Sequence, residues 1–240
     1  MAVLWQILFV RCFRGQPDLA SAALLAAAVW LIYSADRMLD AWRGIENRPR
    51  HEFYKCHWRR LLPAWAAVFI LTGFVSWIAL PWILFARGVC LIGAVAVYFG
   101  VVHVAPKRLR RYWPKEAMVG VLFALGASLA AWNEVRTAAD ILTLLLFSCL
   151  CWINCAAIEQ WESGRGHRPV GVISACIAVA ALILLHQPRP ILGGAEAASA
   201  LAFVWLDKGR PRLSLDMQRV LADAALLSPI VFLPATWLLV

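Results

Sequence analysis

The sequence predicts an all-α, polytopic membrane protein with about nine transmembrane helices, the first of them truncated, forming a single domain over residues 1–240. Three observations carry that expectation. Of the 240 residues, 62% are hydrophobic and only 15% charged, and mean hydropathy is +0.72. A soluble domain holds about 45–50% apolar and about 25% charged residues, so one globular core could not bury this much apolar side chain. Apolar stretches recur at about the 20-residue length that a helix needs to cross hydrocarbon. Basic residues concentrate in every second connection between those stretches. A soluble enzyme, a disordered chain and a fibrous repeat are excluded on composition alone.

The elements follow in order. Met1–Phe13 is apolar but too short to span, and it lacks the basic start and small-residue cleavage site of a signal sequence. It reads as the back half of a helix. Full spans are expected over Leu19–Leu39, Leu61–Leu80, Trp82–Val104 and Glu116–Trp132. Four more are expected over Ile141–Trp161, Val170–His186, Ile191–Leu206 and Val220–Val240. Pro81 leaves almost no loop between the third and fourth spans, which predicts a tight helical hairpin, and Pro188 and Pro190 predict another between the seventh and eighth. The connection Ala41–Arg60 mixes basic residues with Trp42, Phe53, Tyr54 and Trp58, a composition suited to an amphipathic helix at the headgroups.

Loop charge sets the expected orientation. The net charge is +9, and 17 of the 23 basic residues fall in the loops after spans two, four, six and eight. The opposite loops hold only Arg11, Arg14, Arg136 and Arg189. Those basic loops are predicted to be cytoplasmic, with a cytoplasmic N-terminus, in a bacterial inner membrane. In this setting the positive charge points to anionic headgroups, not nucleic acid.

Seven cysteines form no CxxC pair and sit mostly in apolar runs, as small packing residues do. His51, His57, His103, His167 and His186 are scattered with no paired metal spacing and are expected to be structural or interfacial. Phosphate-binding glycine loops and a serine nucleophile motif are absent.

Carboxylates inside or at the edge of a membrane are costly and need a reason. The second span ends WLIYSADRMLD, and Asp36 and Asp40, four apart, share one helix face. Two carboxylates one turn apart make a half-site for Mg²⁺, a hard cation that keeps several waters. Arg37 beside them can hold a phosphate oxygen or pair with a carboxylate. The sixth span ends CLCWINCAAIEQWESGRG, placing Glu159 and Glu162 at the same predicted depth, with Asn154 two turns above Glu162. The loop PKRLRRYWPKE crowds Lys107, Arg108, Arg110, Arg111 and Lys115 together. The two acidic clusters and the basic loop suit a metal-chelated diphosphate. They also suit solvated helix ends and an ordinary positive-inside loop.

The order of these elements resembles the UbiA superfamily of intramembrane prenyltransferases, a nine-helix bundle with one acidic motif ending the second helix and another in the sixth. Asp36-Arg37-Met38-Leu39-Asp40 matches the DRxxD half of the first motif, whose usual Asn is here Ile32. HVAPKRLRRYWPKEAMVGVLFALG is similar to the stretch after the fourth helix, with Lys107 and Arg108 at its Lys-Arg pair and Gly120 at its glycine. His103 stands where a Tyr is common. At the second motif the family carries several Asp, whereas this chain has Asn154, Glu159 and Glu162.

The resemblance implies transfer of an isoprenoid group from a polyprenyl diphosphate to a lipophilic, electron-rich acceptor, with Mg²⁺ as cofactor. Asp36, Asp40, Glu159 and Glu162 would be the catalytic metal ligands. Arg37, Lys107, Arg108 and Asn154 would bind the diphosphate, and Trp30 and Trp161 could shield a carbocation. The alternative is a non-catalytic protein of the same fold, acting in lipid handling, transport or assembly. Transport is the weaker of these, because few charges lie near mid-span, Arg87 being the main one.

Overall fold

A chain in hydrocarbon must satisfy its backbone N–H and C=O groups internally, and helices do this within one segment. In the computed structural model every secondary-structure element among the described residues is helical. The described residues are all except Arg14, 44–48, 105–114, 164–168, 187–188, 210–212 and Val240, with the side chains of 42–43, 49–55, 163 and 238–239 also set aside. Among the described residues six helices are long and apolar enough to cross a membrane: Leu19–Ala41, Cys56–Ala79, Trp82–Val104, Lys115–Glu134, Ala138–Glu162 and Leu215–Trp237. Ala2–Cys12 and Val170–His186 are shorter apolar helices. Contacts divide the chain into two compact units, Met1–Pro17 with Pro114–Val240, and Asp18–Trp113.

The unit Asp18–Trp113 contains α2 (Leu19–Arg43), α3 (Pro49–Ala79) and α4 (Trp82–Phe99). Asp18 caps α2: its carboxylate accepts from the backbone N–H of Ser21 at 2.8 Å and of Ala20 at 3.3 Å. Much of the connection after span two is not a separate surface helix, since α3 already begins at Pro49 and runs unbroken into the third span. Trp65 Nε1 donates to the Leu31 carbonyl at 3.0 Å, tying α3 to α2. The expected hairpin at Pro81 is present. The Pro81 carbonyl accepts from Leu84 and Phe85, and Trp77 packs edge-on against Trp82 and Phe85 across the turn. Ile70, Phe74 and Ile78 on α3 are exposed, as lipid-facing side chains are. The last turn of α4 widens into a π-helix, Gly100–Val104.

The unit Met1–Pro17 with Pro114–Val240 contains α1 (Ala2–Cys12), α5 (Lys115–Ser128), α6 (Ala138–Ser163), α7 (Val170–Ile183), α8 (Pro190–Gly209), α9 (Leu215–Ala225) and the short α10 (Pro229–Phe232). Trp5, Phe9 and Phe147 pack ring against ring, with Trp5 and Phe147 centroids 4.3 Å apart. Trp5 Nε1 donates to the Leu226 carbonyl at 2.8 Å, giving the one polar atom of that ring a buried partner. A second core joins Leu150, Ile153, Phe203, Leu206 and Leu226. Without a hydrophobic force between helices in lipid, close packing falls to small residues. Gly120 on α5 lies so near α6 that an added Cβ would stand 2.7 Å from the Trp152 backbone nitrogen.

Two helix starts in this unit are pinned by side chains. Thr137 and Asp140 form a reciprocal cap at the start of α6, Asp140 N donating to Thr137 Oγ1 and Thr137 N to Asp140 Oδ2. On α8, Asp207 accepts from the Gly171 N–H at 3.0 Å, a negative charge at the N-terminus of α7. The expected ninth span falls within the membrane-length stretch Leu215–Trp237, whose helix is interrupted. α9 ends at Ala225, and the chain turns through Leu226–Ser228 before α10 and a 3₁₀ segment over Pro234–Leu239. Pro229 and Pro234 lack the N–H that a continuous helix would require.

Candidate metal centre

Within the unit Asp18–Trp113, α3 returns the chain so that α2 and α4 end on the same side. Asp36 and Asp40 project from the last turns of α2, and His103 from the π-turn that ends α4. A π-turn inserts a residue into the helical repeat and re-aims the side chains that follow, and such turns are frequent at functional sites. One donor atom from each of Asp36, Asp40 and His103 lies within 4.8 Å of the others. His103 Nε2 is 3.3 Å from Asp36 Oδ1, and Nδ1 is 3.9 Å from Asp40 Oδ1. The imidazole is 5% exposed and the two carboxylates 23% and 21%. Nδ1 is buried and makes no hydrogen bond. Two half-buried carboxylates and a buried imidazole converging at this separation could hold a divalent cation.

Arg37, between the two aspartates in sequence, lays its guanidinium over the Tyr33 ring at 4.9 Å, and its buried Nε makes no hydrogen bond. Ser34 donates to the Trp30 carbonyl at 2.7 Å, so its hydroxyl is absorbed by α2 itself. Trp30 is half exposed. Lys107 and Arg108 lie outside the described residues, as do Arg110 and Arg111.

The second set of expected residues lies on α6 in the other unit. Asn154 is buried, and its Nδ2 donates to Asp223 Oδ1 on α9 at 3.0 Å. Two turns on, Glu162 forms an ion pair with Arg219, one turn before Asp223 on α9. Arg219 also holds Asp216 at 3.1 Å. Glu159 is exposed, and Trp161 is buried in the core.

Three residues here escaped the sequence reading. His103 stood alone in an apolar run, although its place at the end of span four predicts the same membrane side as Asp36 and Asp40. Arg219 counted only as loop charge, and Asp223 carried no motif. No protein-family model, curated protein or solved structure matches the chain. Among the described residues, fold and site together define an α-helical protein with six membrane-length helices and a half-buried Asp-Asp-His cluster able to hold a metal ion.

Proposed function

We propose that the protein is an intramembrane prenyltransferase that moves an isoprenoid group from a polyprenyl diphosphate to a lipophilic, electron-rich acceptor. The observation that carries this reading is the convergence of Asp36 and Asp40 with His103 at the shared end of two membrane-length helices. Carboxylates there are costly unless they bind something, and a diphosphate–cation pair gives them a task. When bound, the divalent cation would neutralise charge on the departing diphosphate.

The chain's own residues would do the rest. Asp36 and Asp40 would hold the cation near the headgroup level. Arg37, with Lys107 and Arg108, would pair with diphosphate oxygens. The allylic C–O bond breaks with its electron pair leaving on the diphosphate. The acceptor then forms the new C–C bond and gives up a proton. The resemblance adds Glu159, Glu162 and Asn154 as a second set of proposed ligands. The apolar helix surfaces would take the isoprenoid tail, and the reaction would face the cytoplasm of a bacterial inner membrane.

One observation favours a second reading, a non-catalytic relative acting in lipid handling or assembly. Glu162 is already committed to Arg219 and Asn154 to Asp223, as in a structural network. The deciding experiment is prenyl transfer from labelled diphosphates of several chain lengths, with and without divalent cation, on the wild type, Asp36→Ala and Glu162→Ala. Cation-dependent transfer lost in both variants supports the first reading. Transfer that survives both substitutions removes these residues from the site, and no transfer with any diphosphate leaves the second reading.

A further inference from the structure

We infer that Asp36, Asp40 and His103 form a mixed nitrogen–oxygen centre selective for a first-row divalent ion such as Mn²⁺, Co²⁺ or Zn²⁺ over Mg²⁺. The inference rests on the reading of this cluster as a metal site and goes further by naming the ion class. The donor chemistry departs from what Mg²⁺ takes, since that ion prefers an all-oxygen shell and dehydrates reluctantly. Imidazole suits Zn²⁺ and the first-row transition ions, and carboxylate joins it readily there.

The geometry makes the imidazole hard to ignore. His103 is 5% exposed and held by the π-turn Gly100–Val104, with the Phe99 ring centroid 5.7 Å from its own. Swinging it into solvent would require repacking the end of α4. Two ligands about 2.1 Å from one ion and about a right angle apart stand about 3.0 Å from each other, opening to about 3.4 Å in a tetrahedral shell. The 3.3 Å between His103 Nε2 and Asp36 Oδ1 falls in that interval. A ligating histidine commonly turns its other ring nitrogen to a carboxylate or carbonyl. His103 Nδ1 makes no hydrogen bond and lies 3.9 Å from Asp40 Oδ1, a carboxylate in position for that role or for the ion itself.

The test uses the full chain in detergent or nanodiscs, stripped of metal and then titrated with Mn²⁺, Co²⁺ and Mg²⁺. Mn²⁺ binding is followed by loss of the free-ion electron paramagnetic resonance signal. Nitrogen ligation is read from ¹⁴N coupling in the pulsed spectrum. The wild type should bind one Mn²⁺ with ¹⁴N coupling, and Mg²⁺ should displace it only at more than about tenfold higher concentration. His103→Gln, which offers an amide oxygen at similar reach, should lose the coupling and narrow that preference while melting at a temperature close to the wild type. Asp36→Asn should lose binding of every ion. Mn²⁺ bound without ¹⁴N coupling, or displaced by equimolar Mg²⁺, would overturn the selectivity while leaving the metal site standing. Failure of the wild type to bind any divalent ion would remove both.

Discussion

His103 Nε2 lies 3.3 Å from Asp36 Oδ1 although 67 residues separate them in sequence. Only the return of the chain through α3 brings the two together. Each partner offers the other a polar group at a half-buried helix end, and Asp40, one turn beyond Asp36, adds a second negative charge. If the cluster works on a diphosphate, removing either carboxylate should cost catalysis far more than folding. Asp36→Ala and Asp40→Ala are each expected to lower prenyl transfer by about 10²–10³-fold. Asp18→Ala, at the opposite end of the same helix, is the control. It removes only a cap, which is worth about 1 kcal/mol of stability, and should leave transfer near wild type. Steady-state transfer rates beside melting temperatures check the split.

Gly120 supplies a prediction about packing. A Cβ at that position would stand 2.7 Å from Trp152 N, 2.8 Å from Ser148 O and 2.9 Å from Trp152 Cα. All three are backbone atoms of α6, so no rotamer change can make room, and α5 and α6 must separate. Gly120→Ala is expected to destabilise the fold by about 1–3 kcal/mol, the usual cost of overpacking. On α3, a Cβ added at Gly73 meets nothing within 4 Å. Gly73→Ala should therefore be neutral or gain up to about 1 kcal/mol from helix propensity. Reversible unfolding in mixed micelles compares the two.

Arg189 gives a third. Its Nε is 3.2 Å from Asp140 Oδ1, its Nη1 donates to the Cys12 carbonyl at 2.9 Å, and its guanidinium lies 4.4 Å from the Phe13 ring centroid. One cation thus serves the carbonyl end of α1 and the acidic first turn of α6. Asp140 is 2% exposed and Arg189 17%, so a lost partner leaves a charge in a dry place. Arg189→Met is expected to cost about 1–3 kcal/mol, because Asp140 keeps the backbone N–H groups of Arg136 and Thr137. Adding Asp140→Asn should recover part of that, because the amide oxygen still accepts from the N–H groups of Arg136 and Thr137 while the charge is gone. A double-mutant cycle on unfolding free energy measures the recovery.

How much of this was legible in the sequence follows from which forces act locally. Lipid imposes long apolar runs, so the main helices and the Pro81 hairpin could be read from hydropathy and proline alone. The shared face of Asp36 and Asp40 needed only the helical repeat. His103 was not legible as their partner, because a π-turn shifts the register in a way that spacing does not encode. The break after α9 was written in Pro229 and Pro234 but masked by an unbroken apolar composition. Arg219 and Asp223 sit one turn apart on a helix whose start looked like a charged loop, and pairing them with Glu162 and Asn154 required knowing that α9 packs against α6.

The ion pair between Glu162 and Arg219 separates the two functional readings. A purely structural pair needs opposite charges and does not care which helix carries which sign. A catalytic role does care, since a cation in place of Glu162 removes the carboxylate that the reaction would use. Glu162→Arg alone sets two part-exposed cations together and should lower the melting temperature. Combining it with Arg219→Glu restores the attraction, and Asp216, 3.1 Å from Arg219 and exposed, can turn into water. The double variant should regain most of the lost melting temperature under either reading. Prenyl transfer should stay at least about tenfold below wild type if Glu162 serves the reaction. Full recovery of transfer together with folding would assign the pair to structure, and the second acidic set would then have to be sought around Asn154 and Asp223.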